Sequence, residues 1–178
     1  ALMVMEKEYG QDMMRKVMAY EMDRYLRGRG RDALPEKPLL RADPAQAYVH
    51  DDKGSLAMYC LKEAIGEEAV NRALRKVLGR YGFAGPPYPS SYALLDALDS
   101  ETPGEWKYLL RDLFDDITVY SNRAVQARAV KRPDGKYDVD LEVEVSKFKA
   151  GAGGAEQPVP VDDWIEIGAL SGSRVYRE

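Results

Sequence analysis

Residues 137–146, YDVDLEVEVS, decide the fold class of this chain. Their odd positions are apolar and their even positions are acidic or serine, which is the two-residue period of a strand with one buried and one wet face. The turn sequence PDG at 133–135 precedes this stretch, so residues 124–131 are predicted to be its antiparallel partner. A further strand is predicted in VDDWIEIGAL at 161–170.

Upstream of about residue 115 the apolar period is helical instead. The clearest helix is predicted at 67–81, where Glu67 and Glu68 suit the positive end of the helix dipole and Gly82 ends the helix. Its apolar stripe recurs every three or four positions, at Val70, Ala73, Leu74, Val77, Leu78 and Tyr81.

An earlier helix is predicted to have Asp12 as its N-cap and to end at Gly28 and Gly30. The change from a helical to an alternating period predicts two domains, a helical one at 1–116 and a β domain at 117–178. The chain is therefore expected to be an α+β protein.

Composition excludes several classes of partner. The chain has 178 residues and a net charge of -4 without a basic block, so no nucleic acid is expected to bind it. Its single cysteine excludes an intrachain disulfide. Its apolar runs are much shorter than the roughly 20 residues that span a bilayer, so no membrane segment is expected within it.

The stretch AYVHDDKGSLAMY at 47–59 contains the only histidine of the chain, His50, beside two aspartates. A catalytic zinc site takes three protein ligands, usually with two or more histidines, so no metal ligand is assigned in this chain. The simpler interpretation is that Asp51 or Asp52 caps the helix that follows and continues to Gly66.

Two long stretches carry a resemblance to a known family. They are ALMVMEKEYGQDMMRKVM at 1–18 and PAQAYVHDDKGSLAMYCLKEAIGEEAVNRALRKVLGRYGF at 44–83. They resemble the part of the aminopeptidase N family of zinc aminopeptidases, the gluzincins, that follows the metal site. The resemblance covers nearly the whole chain, although the H-E-x-x-H motif of the family is absent from it.

The resemblance implies a more detailed fold and a candidate site. Residues 1–116 would be the helical C-terminal part of a thermolysin-like peptidase domain, and residues 117–178 a small antiparallel β-sandwich. The family has a Tyr-x-Lys-Gly motif that opens a buried helix, and its tyrosine stabilises the oxyanion of the tetrahedral intermediate. Asp52, Lys53 and Gly54 match the last three positions, and Asp51 occupies the place of the catalytic tyrosine.

The function implied by the resemblance is that of a fragment of a zinc-dependent metallopeptidase, a hydrolase that removes N-terminal residues from peptides. This chain alone would be inactive and would hold no cofactor. The zinc would belong to the missing N-terminal part of the same protein, which would also share the peptide substrate with it. The parent would be cytoplasmic, or membrane-associated through segments not present here. The alternative is a non-catalytic protein-interaction module of a membrane-associated complex.

Overall fold

The computed structural model describes residues 2–151, 153–171 and 174–177, with side chains described as far as Ala169. The chain forms two compact units, a helical one that ends at Ile117 and a β unit that begins at Thr118. Helix and antiparallel sheet are both present, so the expected α+β class is confirmed. Among the described residues, no helix is long and apolar enough to cross a bilayer.

The helical unit contains α-helices, two π-helical turns and two 3₁₀ turns. The α-helices are α1 (Leu2–Tyr9), α2 (Gln11–Arg31), α3 (Gly54–Ile65), α4 (Glu67–Tyr81), α5 (Ser91–Asp99) and α6 (Lys107–Leu110). The π-helical turns are Tyr48–Lys53 and Arg111–Asp115, and the 3₁₀ turns are Leu39–Arg41 and Gly104–Trp106. The predicted bounds of α4 are confirmed, because Gly82 ends it and its N–H donates to the Leu78 carbonyl.

Two apolar clusters hold this unit together. The larger one lies between α3, α4, α5 and the last helical turns, and its buried members are Ala57, Leu61, Ala73, Leu98, Leu110 and Phe114. The smaller one consists of Tyr25, Tyr48 and Val49, and it joins α2 to the turn at 48–53. Each fully buried large apolar side chain contributes about 1.5–3 kcal/mol relative to exposure.

The prediction for the ends of α2 is wrong. The helix begins after Gly10, with Asp12 in its first turn, and it continues through Gly28 and Gly30 to Arg31. Gly28 lies inside the helix for a packing reason. A Cβ atom there would lie 2.4 Å from the Cβ of Tyr48, so a residue without a side chain lets the 48–53 turn approach α2.

The β unit consists of two small antiparallel sheets. The first has the order β1 (Thr118–Lys131), β2 (Tyr137–Ala150), β3 (Glu156–Val159), and a bulge at Val125 shifts the register of β1 on β2. The second pairs β4 (Gly168–Ser171) with β5 (Arg174–Arg177). The strand predicted at 161–170 therefore forms only from Gly168 onward.

The alternation in β2 produces a strand as predicted, but its apolar face is not buried along its first half. Tyr137, Val139 and Leu141 are all exposed. They lie opposite Lys131, Ala129 and Ala127 of β1, respectively, so the face that they share runs across both strands. The prediction of a buried face was wrong for this part of the hairpin, because strand period reports which side chains share a face and not what covers it.

Candidate functional site

The candidate residues lie in one continuous stretch of helix. The turn at Tyr48–Lys53 is π-helical and passes directly into α3, and the N–H of Gly54 donates to the carbonyl of Val49. The prediction that Asp51 or Asp52 caps α3 is wrong, because carbonyls of this preceding turn already accept from the first N–H groups of α3. Single π-helical turns are frequent at functional sites, so this turn is a candidate position for one.

The side chains of the turn divide into a buried and an exposed set. Tyr48, Val49, Asp52 and Lys53 are buried, whereas His50 and Asp51 are exposed. The two exposed side chains contact each other, with His50 Nδ1 3.0 Å from Asp51 Oδ1. The turn is therefore anchored by four side chains and presents the remaining two to solvent.

Lys53 is anchored by a buried cluster of charges. Its ammonium group donates to Glu36 Oε1 at 2.7 Å, and Arg29 Nε donates to Glu36 Oε2 at 2.8 Å. The hydroxyl of Tyr25 also donates to this carboxylate, at 3.0 and 3.1 Å from its two oxygens. Burial raises the pKa of the Tyr25 phenol, and the negative charge of Glu36 raises it further, so the hydroxyl keeps the proton that it donates.

Asp52 is anchored to α2 by an ion pair with Arg24. Its carboxylate, which is 7% exposed, lies 3.1 Å from Arg24 Nε. Arg24 is itself 49% exposed, so this pair is screened by water on the side of its cation. Arg24 and Asp52 add a second ionic connection between α2 and the turn.

The start of the turn is held by Gln46, which is buried. Its amide Nε2 donates to Asp32 Oδ2 and to the carbonyl of Pro35, both at 3.1 Å. These bonds join the end of α2, the proline-containing connector after it and the residue two positions before Tyr48. The backbone of the turn is thus fixed at its entry as well as at Lys53.

Gly54, the last residue of the matched motif, is the first residue of α3 and has room for a Cβ atom. A Cβ there would lie 3.6 Å from Leu39 Cδ1 and 3.8 Å from the Val49 carbonyl oxygen, which are ordinary van der Waals distances. Sterics therefore do not demand glycine at this position.

A mostly apolar groove of about 460 Å³ lies beside the turn. Its polar lining includes His50, Ser55 and Ser91, and its apolar walls include Leu39, Leu40, Met58, Leu94 and Phe114. A larger cavity of about 580 Å³ lies between α4 and α5 with the connector before α5, and its lining includes no residue of 48–54. Of residues 48–54, His50 and Gly54 line the groove, and Asp51 is not among its lining residues.

The residues that the structure describes do not fit a zinc site. Among the described residues, no group of three His, Cys, Asp or Glu side chains is arranged to hold a metal ion. Cys60, the single cysteine, is exposed on α3, ten positions after His50. Its position in the apolar stripe of α3 predicts a core residue, and its exposure shows that this prediction is wrong.

The sequence pattern points to Asp51, Asp52, Lys53 and Gly54 but not to the side chains that hold them. Glu36 lies in the connector LPEKP at 34–38, between two prolines, and nothing in that pattern indicates a buried carboxylate. Its cationic partners Arg29 and Lys53 lie 7 and 17 positions away, and α2 ends at Arg31, so no helical or strand period relates Glu36 to them.

Comparison of the chain with protein-family models, with curated proteins and with solved structures finds no match.

Proposed function

We propose that this chain is the part of an aminopeptidase N-like zinc metallopeptidase that follows the metal site, and that it forms one wall of the peptide-binding cleft. In this proposal α1–α6 are the helical C-terminal part of a thermolysin-like domain, and β1–β5 belong to a small β-sandwich after it. The zinc and its ligands belong to the preceding part of the same protein.

One observation supports this proposal above the others. In the stretch that matches the family's Tyr-x-Lys-Gly motif, Lys53 is buried and paired while Asp51 is 66% exposed. A motif that places one side chain against a substrate needs this division, in which the supporting residues pack inward and the acting residue points outward. The apolar groove beside His50 supplies a surface along which a peptide would lie.

Asp51 itself cannot supply the chemistry of the tyrosine that it replaces. An ionised carboxylate accepts hydrogen bonds and does not donate them, so it would repel the developing oxyanion. Loss of one oxyanion donor typically lowers kcat by about 10²–10³. The proposal therefore includes an enzyme with a weakened or altered catalytic position at Asp51.

A second function, a non-catalytic protein-interaction module, is favoured by a different observation. The apolar face of the β1–β2 hairpin is exposed at Tyr137, Val139 and Leu141. The opposite face carries cross-strand charges, including a pair between Arg123 and Glu144, and suits contact with water. Exposed apolar faces with a polar reverse side are common at protein–protein contacts.

Kinetics of the complete gene product test the enzymatic proposal. Asp51→Tyr restores a phenol donor and is expected to raise kcat on aminoacyl-4-nitroanilides by about 10²–10³ with little change in zinc content. Arg75→Tyr is the matched control, since it adds the same side chain at an exposed position of α4 that lines neither cavity, and it is expected to leave kcat within a few-fold. Equal turnover of the Asp51→Tyr and unsubstituted proteins would show that residue 51 is not the oxyanion position.

A further inference from the structure

Glu36 is the centre of the buried charges in the helical unit. Its carboxylate is 6% exposed and accepts hydrogen bonds from the ammonium group of a lysine, the guanidinium group of an arginine and the hydroxyl of a tyrosine. Lys53, which is only 10% exposed, also lies with its ammonium group 5.7 Å from the centre of the Tyr25 ring. Removing one partner from a buried pair of this kind is strongly destabilising, because the other charge is left without compensation.

The position of Lys53 in the helix relates this cluster to the exposed pair. Successive residues are rotated by about 100° in an α-helix and by somewhat less in a π-helical turn, so in both cases residues two apart point in nearly opposite directions. Lys53 lies two positions after Asp51, and it points into the unit while Asp51 points out of it. The ion pair between Lys53 and Glu36 therefore fixes the rotation of the turn about its helix axis. The same rotation determines the direction in which Asp51 points.

The other anchors of the turn constrain it less specifically. Asp52 pairs with Arg24, whose side chain is half exposed. Because a half-exposed arginine side chain is flexible and screened by water, this pair restrains the turn weakly. Val49 and the ring of Tyr48 are held by apolar contact, which is not directional, and the Tyr48 hydroxyl accepts only a long hydrogen bond, 3.4 Å, from Gln46 Nε2. Gln46 fixes the entry of the turn through buried hydrogen bonds, and the short charged hydrogen bond from Lys53 to Glu36 is the directional restraint at its other end, next to Asp51.

We infer that Glu36 is a positioning residue, which acts through Lys53 to fix the rotation of the 48–53 turn and the placement of the His50–Asp51 pair. Only the meaning of that placement for catalysis rests on the proposed function. The placement itself is a property of the 178-residue chain and needs neither zinc nor a substrate to be measured.

The chain offers an internal probe, because His50 is its only histidine. In a protein prepared without a histidine tag, the imidazole Cε1–H proton gives one NMR signal that needs no further assignment. Glu36→Gln, which keeps the shape but removes the charge, is expected to shift and broaden this signal. Amide hydrogen exchange over 48–54 is expected to accelerate by about 10²-fold, with α4 unchanged.

Glu101→Gln is the matched control. Glu101 also pairs with two cations, Arg72 at 2.7 Å and Lys76 at 2.5 Å, but it joins α4 to the end of α5 and does not contact the turn. Its substitution is expected to leave the His50 signal in place. An unchanged His50 signal in Glu36→Gln, or an equal shift in Glu101→Gln, would overturn the inference.

Tyr25→Phe covers the outcome in which Glu36→Gln does not fold. It removes one hydroxyl donor to Glu36 and keeps both cations and the ring, so the unit is expected to stay folded. The His50 signal is expected to move in the same direction by a smaller amount, with exchange over 48–54 faster by about 3–10-fold. A folded Tyr25→Phe protein with unchanged signal and unchanged exchange would equally overturn the role of the cluster. Neither result bears on whether the complete gene product binds zinc.

Discussion

Two glycines of α2 give opposite predictions for the same substitution. A Cβ on Gly28 would lie 2.4 Å from the Cβ and 2.5 Å from the Cγ of Tyr48, whereas a Cβ on Gly30 meets nothing within 4 Å. Both residues lie within one helix, two positions apart. Gly28→Ala and Gly30→Ala therefore share their effect on helix propensity and differ in the contact with the 48–53 turn.

The magnitudes follow from these distances. Alanine in place of glycine favours a helix by up to about 1 kcal/mol, and somewhat less near the end where Gly30 lies. At Gly28 the new methyl group meets the Cβ of Tyr48, which no change of rotamer can move, so the backbone of the turn or of α2 has to shift. Overpacking of this kind costs typically 1–3 kcal/mol. We expect Gly30→Ala to be more stable than Gly28→Ala by about 2 kcal/mol.

Urea unfolding followed by far-UV circular dichroism measures this difference, because the helices all belong to one unit. The expected order of midpoints is Gly30→Ala, then the unsubstituted chain, then Gly28→Ala. Equal midpoints for the two variants would refute the close packing of α2 on the turn, and with it the geometry that anchors the candidate site.

Two further predictions concern the ion pairs. Lys147, which is buried in β2, lies 2.9 and 3.0 Å from the two oxygens of Asp163, so Asp163→Asn is expected to destabilise the β unit by about 3–5 kcal/mol. Amide exchange in Asp163→Asn should then be faster in β1 and β2 but not in α3 or α4. Unchanged exchange rates in β1 and β2 would contradict this role of the Lys147–Asp163 pair. The hydrogen bond from Lys62 lowers the pKa of Glu6, so its contribution to stability is present above the ordinary carboxyl value of 4.5 and is lost as pH falls through the lower folded value. The urea concentration at the unfolding midpoint of the helical unit should therefore decrease as the pH is lowered below about 4.5. A midpoint that stays constant down to pH 3 would argue against the Glu6–Lys62 pair.

Local patterns predicted the elements whose ends are decided locally. The charges of Glu67 and Glu68, the apolar stripe and Gly82 are all within α4, and its bounds were predicted correctly. The end of α2 depends instead on Tyr48, which is distant in sequence but packs against Gly28. A glycine that ends a helix and a glycine that admits a neighbouring helix look the same in a sequence.

The candidate site was predictable only in part for the same reason. The resemblance directed attention to Asp51, Asp52, Lys53 and Gly54, and these residues do lie in one helical stretch. That Asp52 and Lys53 are buried was not predictable, since charged residues are normally exposed unless paired. Their partners, Arg24 and Glu36, are set by tertiary packing and carry no signal in the local sequence.

In the β hairpin, the sequence predicts the strand but not which of its faces is covered. The alternation at 137–146 predicted a strand with two unlike faces, and β2 has them. Alternation does not show whether another element packs against the apolar face of a strand. The exposure of Tyr137 and Val139 could therefore be found only in the structure.

The zinc content of two proteins, measured after dialysis together with aminopeptidase activity, tests the central claim most directly. The 178-residue chain is expected to hold no stoichiometric zinc and to hydrolyse no aminoacyl-4-nitroanilide, because it has a single histidine. The complete gene product is expected to hold close to one zinc per chain and to release N-terminal residues slowly. Tightly held zinc in the 178-residue chain, or a complete product with neither zinc nor activity, would contradict the proposal that this chain completes a zinc aminopeptidase.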